Sequence, residues 1–281
     1  MREINAETIC ATVKDLFLQA NYCISADILT ALKTGLEKEE SPTGKAVLQQ
    51  IISNDEIAAN EKVAICQDTG MSILFVKLGQ EVHVVDGDFN EAIHQGVREA
   101  YAQGYLRKSI VTDPVFSRKN TGDNTPAVIH VEIVPGDKIE IEVSPKGFGS
   151  ENMSGLKMLS PSDGEKGVRD FIIETVQKAG PNPCPPVIIG VGIGSTIEMA
   201  AKTAKKATLR GIGEHNADPR YAQLEIELLN DINQLGIGPG GLGGTTTALA
   251  VNIDWLPAHL ASLPVVVNMC CHAARHAKGE I

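Results

Sequence analysis

The sequence has few aromatic residues, no long apolar run and no cluster of positive charge. Aromatic residues make up 4% of the 281 residues, so the core must be built largely from Ala, Val, Ile and Leu. No apolar run approaches the length of about 20 residues that a membrane-spanning helix needs, and we expect no membrane partner. Lysine and arginine number 25 against 35 acidic residues, a net charge of −10. A chain this acidic is a poor partner for nucleic acid.

Two further features are missing: a signal peptide and the C-x2-C pairs that are typical of zinc ribbons. The N-terminus has no apolar segment of the secretory type, so we expect a cytoplasmic protein. Six cysteines are present, and in a long chain without a secretion signal they predict thiols or metal ligands rather than disulfides. They are Cys10, Cys23, Cys66, Cys184, Cys270 and Cys271.

The hydrophobic pattern predicts a mixed α/β fold with a helical N-terminal region over residues 1–60 and an α/β region over residues 61–281. Ser25 and Ser41 are the expected starts of the second and third helices, with Pro42 at a first helical position. Two strand pairs are predicted, one with a turn at 79–80 and one with a turn at 135–137. The paired segments are 73–76 with 82–85 and 128–134 with 139–143, and further helices are expected at 89–104, 163–179 and 219–235.

Three glycine-rich segments follow. Residues 145–152 could present backbone N–H groups to an anion, or form an ordinary surface turn. Residues 190–195 have the spacing G-x-G-x-G rather than G-x-G-x-x-G, which argues against a dinucleotide site. They predict a tight turn after a short strand at 187–189, opening a helix over 196–210. Residues 236–247 lack the Gly-Lys-Ser/Thr of a P-loop, and we expect their backbone to pack closely against a ligand or another chain.

The stretch Val-Ala-Ile-Cys-Gln-Asp-Thr-Gly at 63–70 concentrates chemistry in a few residues. It places a soft metal ligand, an amide, a carboxylate and a hydroxyl on Cys66 to Thr69, and Gly70 permits a tight turn. The alternative is a strand end with a buried cysteine. Cys184 lies among four prolines between 181 and 186, which fix its backbone outside regular structure and favour a ligand.

Cys66, Cys184 and one of Cys270 and Cys271 are therefore candidate metal ligands. Their wide separation is unlike a zinc ribbon or a ferredoxin run. Three thiolates without a fourth suit a cubane cluster with one open iron, which can act as a Lewis acid. A structural zinc site and a non-catalytic iron–sulfur redox module remain alternatives.

Several of these motifs resemble those of class I, iron–sulfur fumarate hydratases and of the sister L(+)-tartrate dehydratases, in the α subunit of the two-subunit form. The resemblance rests on Cys66-Gln67-Asp68-Thr69-Gly70, Asn182-Pro183-Cys184-Pro185-Pro186, the Gly190–Ser195 turn, Gly238–Gly244 and Cys271-His272-Ala273. It extends over nearly the whole chain in one order. It implies a single iron–sulfur hydro-lyase domain over 1–281, with the cluster and substrate bound within 61–281.

The resemblance also implies a role for individual residues. Cys66, Cys184 and Cys271 would hold a [4Fe–4S] cluster, and Cys271 is preferred over Cys270 because a His-Ala pair follows it. Gln67 and Asp68 would reach the substrate, with Asp68 in the proton transfer. Arg107 would bind a substrate carboxylate through a forked contact, and Gly149 would offer its backbone N–H.

The implied reaction is the reversible hydration of fumarate to L-malate, with L(+)-tartrate dehydration as the alternative. Single-chain members of the family carry a further C-terminal domain that supplies substrate-binding and catalytic residues. Its counterpart is not present in residues 1–281, so we expect a separate β subunit, an α2β2 assembly and a small dicarboxylate substrate bound where the subunits meet.

Overall fold

The computed structural model describes all residues, Met1–Ile281, and confirms the mixed α/β class. The chain divides into two compact units. The first comprises Met1–Ile24, Asn54–Phe148 and Arg275–Ile281, and the second comprises Ser25–Ser53 and Gly149–Ala274. The prediction that residues 1–281 act as one cluster-binding domain stays a prediction, because this division reflects packing rather than function.

Eight helices and ten strands make up the regular structure. The helices are α1 Ala6–Tyr22, α2 Ala26–Lys38, α3 Pro42–Glu61, α4 Phe89–Gln103, α5 Phe148–Glu151, α6 Gly164–Ala179, α7 Ile197–Ala207 and α8 Pro219–Asn233. The strands are β1 Arg2–Asn5, β2 Met71–Gly79, β3 Val82–Val85, β4 Val128–Val134, β5 Ile139–Lys146, β6 Gly155–Leu159, β7 Val187–Gly194, β8 Ala248–Leu256, β9 Leu263–Cys270 and β10 Ala277–Glu280. None of the helices combines the length and the apolar character needed to span a bilayer.

The predicted helical N-terminal region is present as α1, α2 and α3. Ser25 is the N-cap residue of α2, although its side chain makes no capping hydrogen bond. Ser41 precedes α3, and its Oγ accepts a hydrogen bond from the Gly44 N–H at 3.1 Å. Pro42 is the first residue of that helix, where its missing N–H costs nothing.

The first unit packs α1 and α4 against a four-stranded sheet in the order β10-β5-β2-β4. Alternate residues of β2 and β5 face these helices, so aliphatic side chains of both layers form one core. Representative members are Val13, Phe17, Ile93, Leu74 and Ile141, each fully buried. A separate pair joins β1 and β3 in parallel.

The second unit is built on a four-stranded sheet in the order β6-β9-β7-β8. All residues of β7 are buried, as expected for a central strand covered on both faces. Val187, Ile189 and Val191 face the core formed with α6 and α8. The opposite face of β7 carries glycines and packs against α7.

The predicted strand pairs are wrong, although each predicted strand exists. β2 pairs with β4 in parallel and with β5 in antiparallel orientation, so it lies between the two strands that were expected to pair. β3 pairs with β1 instead of β2. Short turns at 79–80 and 135–137 suggested hairpins, but pairing is decided by which apolar faces meet α1 and α4, and a local pattern does not contain that information.

The Gly190–Ser195 segment is a strand for most of its length rather than a turn. A Cβ on Gly190 would lie 2.1 Å from the Ala204 carbonyl oxygen, and one on Gly192 would lie 2.1 Å from that of Ala200. These glycines therefore let α7 approach β7 closely. The turn is confined to Gly194 and Ser195, which have φ of +91° and +57°, and the helix begins at Ile197.

Candidate active site

Cys66 lies in an irregular segment that leads into β2. The preceding residue, Ile65, is buried and tied on both sides: its N–H donates to the Asn21 carbonyl at 2.9 Å, and its carbonyl accepts from Asn54 Nδ2 at 2.9 Å. Cys66 itself is a free, partly exposed thiol. The alternative of a buried cysteine at a strand end is therefore wrong, because residues 63–70 form no strand and β2 begins at Met71.

The Asp68 carboxylate accepts hydrogen bonds from two backbone N–H groups, one just before β2 and one just after β5. Its Oδ1 accepts from the Gly70 N–H at 3.2 Å and its Oδ2 from the Phe148 N–H at 2.9 Å. A Cβ on Gly147 would lie 3.4 Å from Asp68 Oδ2, so the glycine leaves room beside the carboxylate. The carboxylate is thus fixed in position while remaining partly exposed.

The same loop carries Gln67 and connects to Arg107. Gln67 is exposed, with its Oε1 3.3 Å from Cys66 Sγ. Thr69 Oγ1 donates to the Arg107 carbonyl at 3.1 Å, which ties the arginine backbone to the loop and leaves the Arg107 side chain exposed. The first unit therefore carries Cys66, Gln67 and Asp68 on one loop and Arg107 on a segment hydrogen-bonded to that loop; their roles stay predictions.

A buried tyrosine on α4 holds the 66–70 loop through hydrogen bonds. Tyr101 is fully buried on α4, and its hydroxyl lies 2.9 Å from the carbonyl oxygens of both Thr69 and Gly70. Burial raises the Tyr101 pKa to about 12, so the hydroxyl keeps the proton that it donates. Asn124 Nδ2 also donates to the Gly70 carbonyl at 3.2 Å.

Cys184 occupies a tight turn in the second unit. Its φ is +56°, a left-handed conformation that a non-glycine residue rarely adopts. The Cys184 N–H donates to the Pro181 carbonyl at 3.1 Å, and the residue is exposed. The prediction that prolines fix this cysteine outside regular structure is confirmed.

The two adjacent cysteines at the end of β9 differ in accessibility. Cys270 is the last residue of the strand and 8% exposed, whereas Cys271 lies just beyond the strand and is partly exposed. The His272 N–H donates to the Cys184 carbonyl at 3.4 Å, which joins the Cys271 segment to the Cys184 turn. Cys271 is thus the more accessible of the two thiols, and its choice over Cys270 as the ligand stays a prediction.

Gly149 also lies beside the Cys184 turn. It is the second residue of α5 and exposed, and a Cβ at this position would lie 3.8 Å from the Asn182 carbonyl oxygen. First-turn N–H groups of a helix have no partner within the helix. The Gly149 N–H therefore has no acceptor within its own helix, and its contact with a substrate stays a prediction.

The donor set fits the chemistry of an iron–sulfur cluster, whose ligands are thiolates. No group of three or more His, Cys, Asp or Glu side chains could hold one ion. Cluster ligands are thiolates that each bind a different iron, so they need not converge on one point. Cys184 and Cys271 are accessible thiols outside any disulfide on joined segments of the second unit, and Cys66 is a partly exposed thiol of the first unit.

Two buried cations near these segments were missed by sequence reasoning. Lys146 and Arg275 are 2% and 3% exposed. Lys146 Nζ lies 3.3 Å from the Gly147 carbonyl, so this lysine is not displayed on the surface of the glycine-rich loop. Arg275 Nη1 donates to Asn21 Oδ1 at 3.3 Å. A lysine at the end of a strand and an arginine near the C-terminus carry no local signal of burial.

Comparison with known proteins places these residues in a family. A sequence model of the fumarate hydratase (Fumerase) family matches residues 10–280. The chain belongs to this family. Membership makes it a hydro-lyase, an enzyme that adds water to a carbon–carbon double bond or forms such a bond by removing water.

Individual relatives share much of the sequence over most of its length. A Methanocaldococcus jannaschii protein provisionally named L(+)-tartrate dehydratase subunit alpha is 44% identical over 274 residues, covering 96% of both chains. L(+)-tartrate dehydratase subunit alpha of Escherichia coli strain K12 is 36% identical over 251 residues, covering 89% of this chain and 82% of the relative. The sister family expected from the motifs is thus represented among the relatives.

Proposed function

We propose that this chain is the cluster-bearing α subunit of a [4Fe–4S] hydro-lyase acting on a four-carbon dicarboxylate. The observations that support the proposal are the accessible thiols of Cys66, Cys184 and Cys271 and the fixed carboxylate of Asp68, which lies two residues after Cys66. An electron-transfer cluster needs no such carboxylate, and a zinc ribbon uses a different cysteine spacing.

Each side chain has a distinct task in this proposal. Cys66, Cys184 and Cys271 hold the cluster, which when bound supplies a Lewis-acidic iron. Arg107 binds one substrate carboxylate, since its exposed guanidinium can make a forked contact. Asp68, fixed by two backbone N–H groups, moves the proton that is added to or removed from carbon.

Gln67 and Gly149 complete the contacts to substrate. Gln67, the residue next to Cys66, orients the bound substrate through its amide. The Gly149 N–H donates a hydrogen bond to a substrate oxygen. Donors fixed before the substrate arrives stabilise developing negative charge without further reorganisation.

Fumarate and L-malate are the first substrate pair of the proposal, in keeping with the description of the family. Hydration adds a proton to one alkene carbon and hydroxide to the other. L(+)-tartrate is the second candidate, favoured by the names of the relatives; loss of water from it gives oxaloacetate. The relatives' designation as subunit alpha supports a separate β partner, for which we propose an α2β2 assembly with the substrate enclosed at the subunit contact.

The direct test is anaerobic purification of the chain with its β partner, followed by separate assays with fumarate, L-malate and L(+)-tartrate. Turnover that is lost in air and restored by iron and reductant supports the proposal, and the substrate that reacts fixes the reaction. An iron–sulfur spectrum without turnover on any of them would contradict the enzymatic assignment and support a redox module.

Cysteine variants test the ligand set independently of substrate. Cys66→Ala, Cys184→Ala and Cys271→Ala are expected to remove most of the cluster absorbance. Cys10→Ala, Cys23→Ala and Cys270→Ala are matched controls that should retain it. Loss of absorbance in Cys270→Ala with retention in Cys271→Ala would overturn the choice between the two adjacent cysteines.

A further inference from the structure

A single buried carboxylate organises the glycine-rich loop of residues 236–247. Glu39 is the residue that follows α2, and it is 1% exposed. One of its oxygens, Oε1, accepts from the N–H groups of Glu40 and Ser41, both at 3.0 Å. These two contacts anchor the carboxylate at the start of α3.

The same carboxylate also binds the far end of the glycine-rich loop. The Thr245 N–H lies 2.9 Å from Oε1 and 3.1 Å from Oε2, and the Thr246 N–H lies 2.8 Å from Oε2. Four backbone N–H groups thus converge on one side chain. These hydrogen bonds outweigh the effect of burial and lower the Glu39 pKa to about 2, so the carboxylate is ionised at neutral pH.

Glycines on both sides make the close approach possible. A Cβ on Gly44 would lie 2.9 Å from Glu39 Cδ, and a Cβ on Gly244 would lie 2.5 Å from Glu39 Oε1. Distances under 3.0 Å are not found between real Cβ atoms and their neighbours. Glycine at positions 44 and 244 therefore leaves the space that the Glu39 carboxylate occupies.

The other end of the loop packs against the turn that carries Cys184. The Gly240 N–H donates to the Pro185 carbonyl at 2.9 Å. Gly241 has a φ of +73°, and a Cβ on it would lie 2.1 Å from Pro181 Cβ. Pro181 in turn accepts the Cys184 N–H. A continuous set of contacts within the second unit therefore runs from Glu39 to the Cys184 backbone.

We infer that Glu39 is a positioning residue for Cys184: it holds the glycine-rich loop that fixes the turn presenting this thiol to the cluster. The inference rests on the proposed function for the cluster and on the observed contacts for the positioning. A carboxylate suits the task because both of its oxygens accept hydrogen bonds. Glutamine has nearly the same shape, but its NH2 group would face backbone N–H groups.

The test compares Glu39→Gln with Glu225→Gln in the full chain. Glu225 is the matched control because it is also 1% exposed in the second unit and accepts backbone N–H groups, those of Asn216 and Ile253 at 3.1 and 2.7 Å. None of these Glu225 contacts involves the glycine-rich loop or the Cys184 turn. Glu225 also pairs with Arg210 and His215, and neither residue lies in the loop or the turn, so Glu225→Gln reports the effect of general destabilisation.

The first readout is amide hydrogen exchange of the iron-free chain. We expect exchange at the Gly240 and Cys184 amides to become at least about tenfold faster in Glu39→Gln, because these hydrogen bonds open when the loop is released. Glu225→Gln should leave both amides unchanged. Equal rates in the wild type and Glu39→Gln, or equal acceleration in the two variants, would overturn the inference.

The second readout is the rate at which the anaerobically loaded chain loses iron to a chelator. Faster loss in Glu39→Gln than in Glu225→Gln supports the positioning role, and equal rates contradict it. If the wild type takes up no cluster, the proposed function fails, while the exchange measurement still decides the role of Glu39. Should Glu39→Gln not fold, Glu39→Asp keeps the charge but draws it back by one methylene group, and is expected to give a smaller change of the same kind.

Discussion

Two of the three segments that carry predicted cluster ligands differ in the contacts that hold them. In the first unit, the 66–70 loop is held by polar side chains, chiefly the Tyr101 hydroxyl and the Asn124 amide, and by the close approach of Gly70 to the Lys146 backbone. In the second unit, the Cys184 turn is supported by close contact with glycine backbone at Gly240 and Gly241. Loss of the Tyr101 hydroxyl or the Asn124 amide removes hydrogen bonds from the first loop, whereas a Cβ added at Gly241 of the second would lie 2.1 Å from Pro181 Cβ.

Two buried carboxylates, Glu39 and Asp55, also differ in their hydrogen bonds and in the direction of their pKa shifts. Glu39 in the second unit accepts several backbone N–H groups, and its pKa is lowered to about 2. Asp55 on α3, in the first unit, is 3% exposed, and neither of its carboxylate oxygens has a hydrogen-bond partner. Burial raises the Asp55 pKa to about 6. At neutral pH the ionised Glu39 carboxylate stabilises the folded protein, whereas the ionised Asp55 carboxylate destabilises it.

The largest effect is expected from Gly241→Ala. The change combines a left-handed backbone with a Cβ placed 2.1 Å from Pro181, so we expect a loss of roughly 3–4 kcal/mol in unfolding free energy. Gly243→Ala is the control, because its φ is +85° but nothing lies within 4 Å of its Cβ; it should cost only about 1 kcal/mol. Denaturant unfolding measures both, and equal losses would show that close packing of the loop is unimportant.

Asp55→Asn is expected to stabilise the protein above pH 6. The folded-state pKa is raised from 3.8 to about 6, so the folded chain binds the proton more tightly, and its stability falls as pH rises through this window. Removing the charge should recover up to roughly 3 kcal/mol at pH 7.5 and almost nothing below pH 4. Unfolding curves at the two pH values test this, and a pH-independent effect would contradict it.

Tyr101→Phe is expected to have a smaller effect, limited to the 66–70 loop. The change leaves the Thr69 carbonyl without its donor, while Gly70 keeps its hydrogen bond from Asn124. We expect a loss of about 1–2 kcal/mol, measured by denaturant unfolding. Tyr105→Phe is the control in the same unit, since Tyr105 is 97% exposed. A similar loss in both variants would argue against support through the hydroxyl.

The smallest effect on stability is expected from Arg107→Lys, because the side chain is exposed. Its effect should fall on substrate binding, since lysine cannot make the forked contact with a carboxylate. We expect KM to rise about tenfold or more with a smaller change in kcat, measured in the complex with the β subunit. Lys108→Arg is the control on the neighbouring exposed residue. An unchanged KM for Arg107→Lys would remove Arg107 from the site.

The sequence predicted most helices and strands because their apolar periodicity is local. It failed on strand pairing, since the choice of β2 as the partner of both β4 and β5 depends on contacts far apart in the chain. It also failed at Gly190 and Gly192, where glycine permits the approach of α7 rather than a turn. The expectation of closely packed backbone at 236–247 was right, but the neighbours found are Glu39 and Pro181 of the same chain.

In the candidate site, too, some residues could be predicted from the sequence and others could not. Cys66, Asp68 and Cys184 were found from motifs, because the residue types themselves carry the chemistry. Tyr101 and Glu39 could not be found in this way. Tyr101 falls on the apolar face of a helix, and Glu39 follows the last turn of another, so each resembles an ordinary core or surface residue until its hydrogen bonds are known.

The central claim is tested most directly by measuring iron, acid-labile sulfide and zinc in the full chain prepared without oxygen. We expect about four iron and four sulfide per chain, both largely lost in Cys184→Ala and retained in Cys23→Ala. Zinc in equal amount to the chain, with no sulfide, would contradict the cluster and the mechanism built on it.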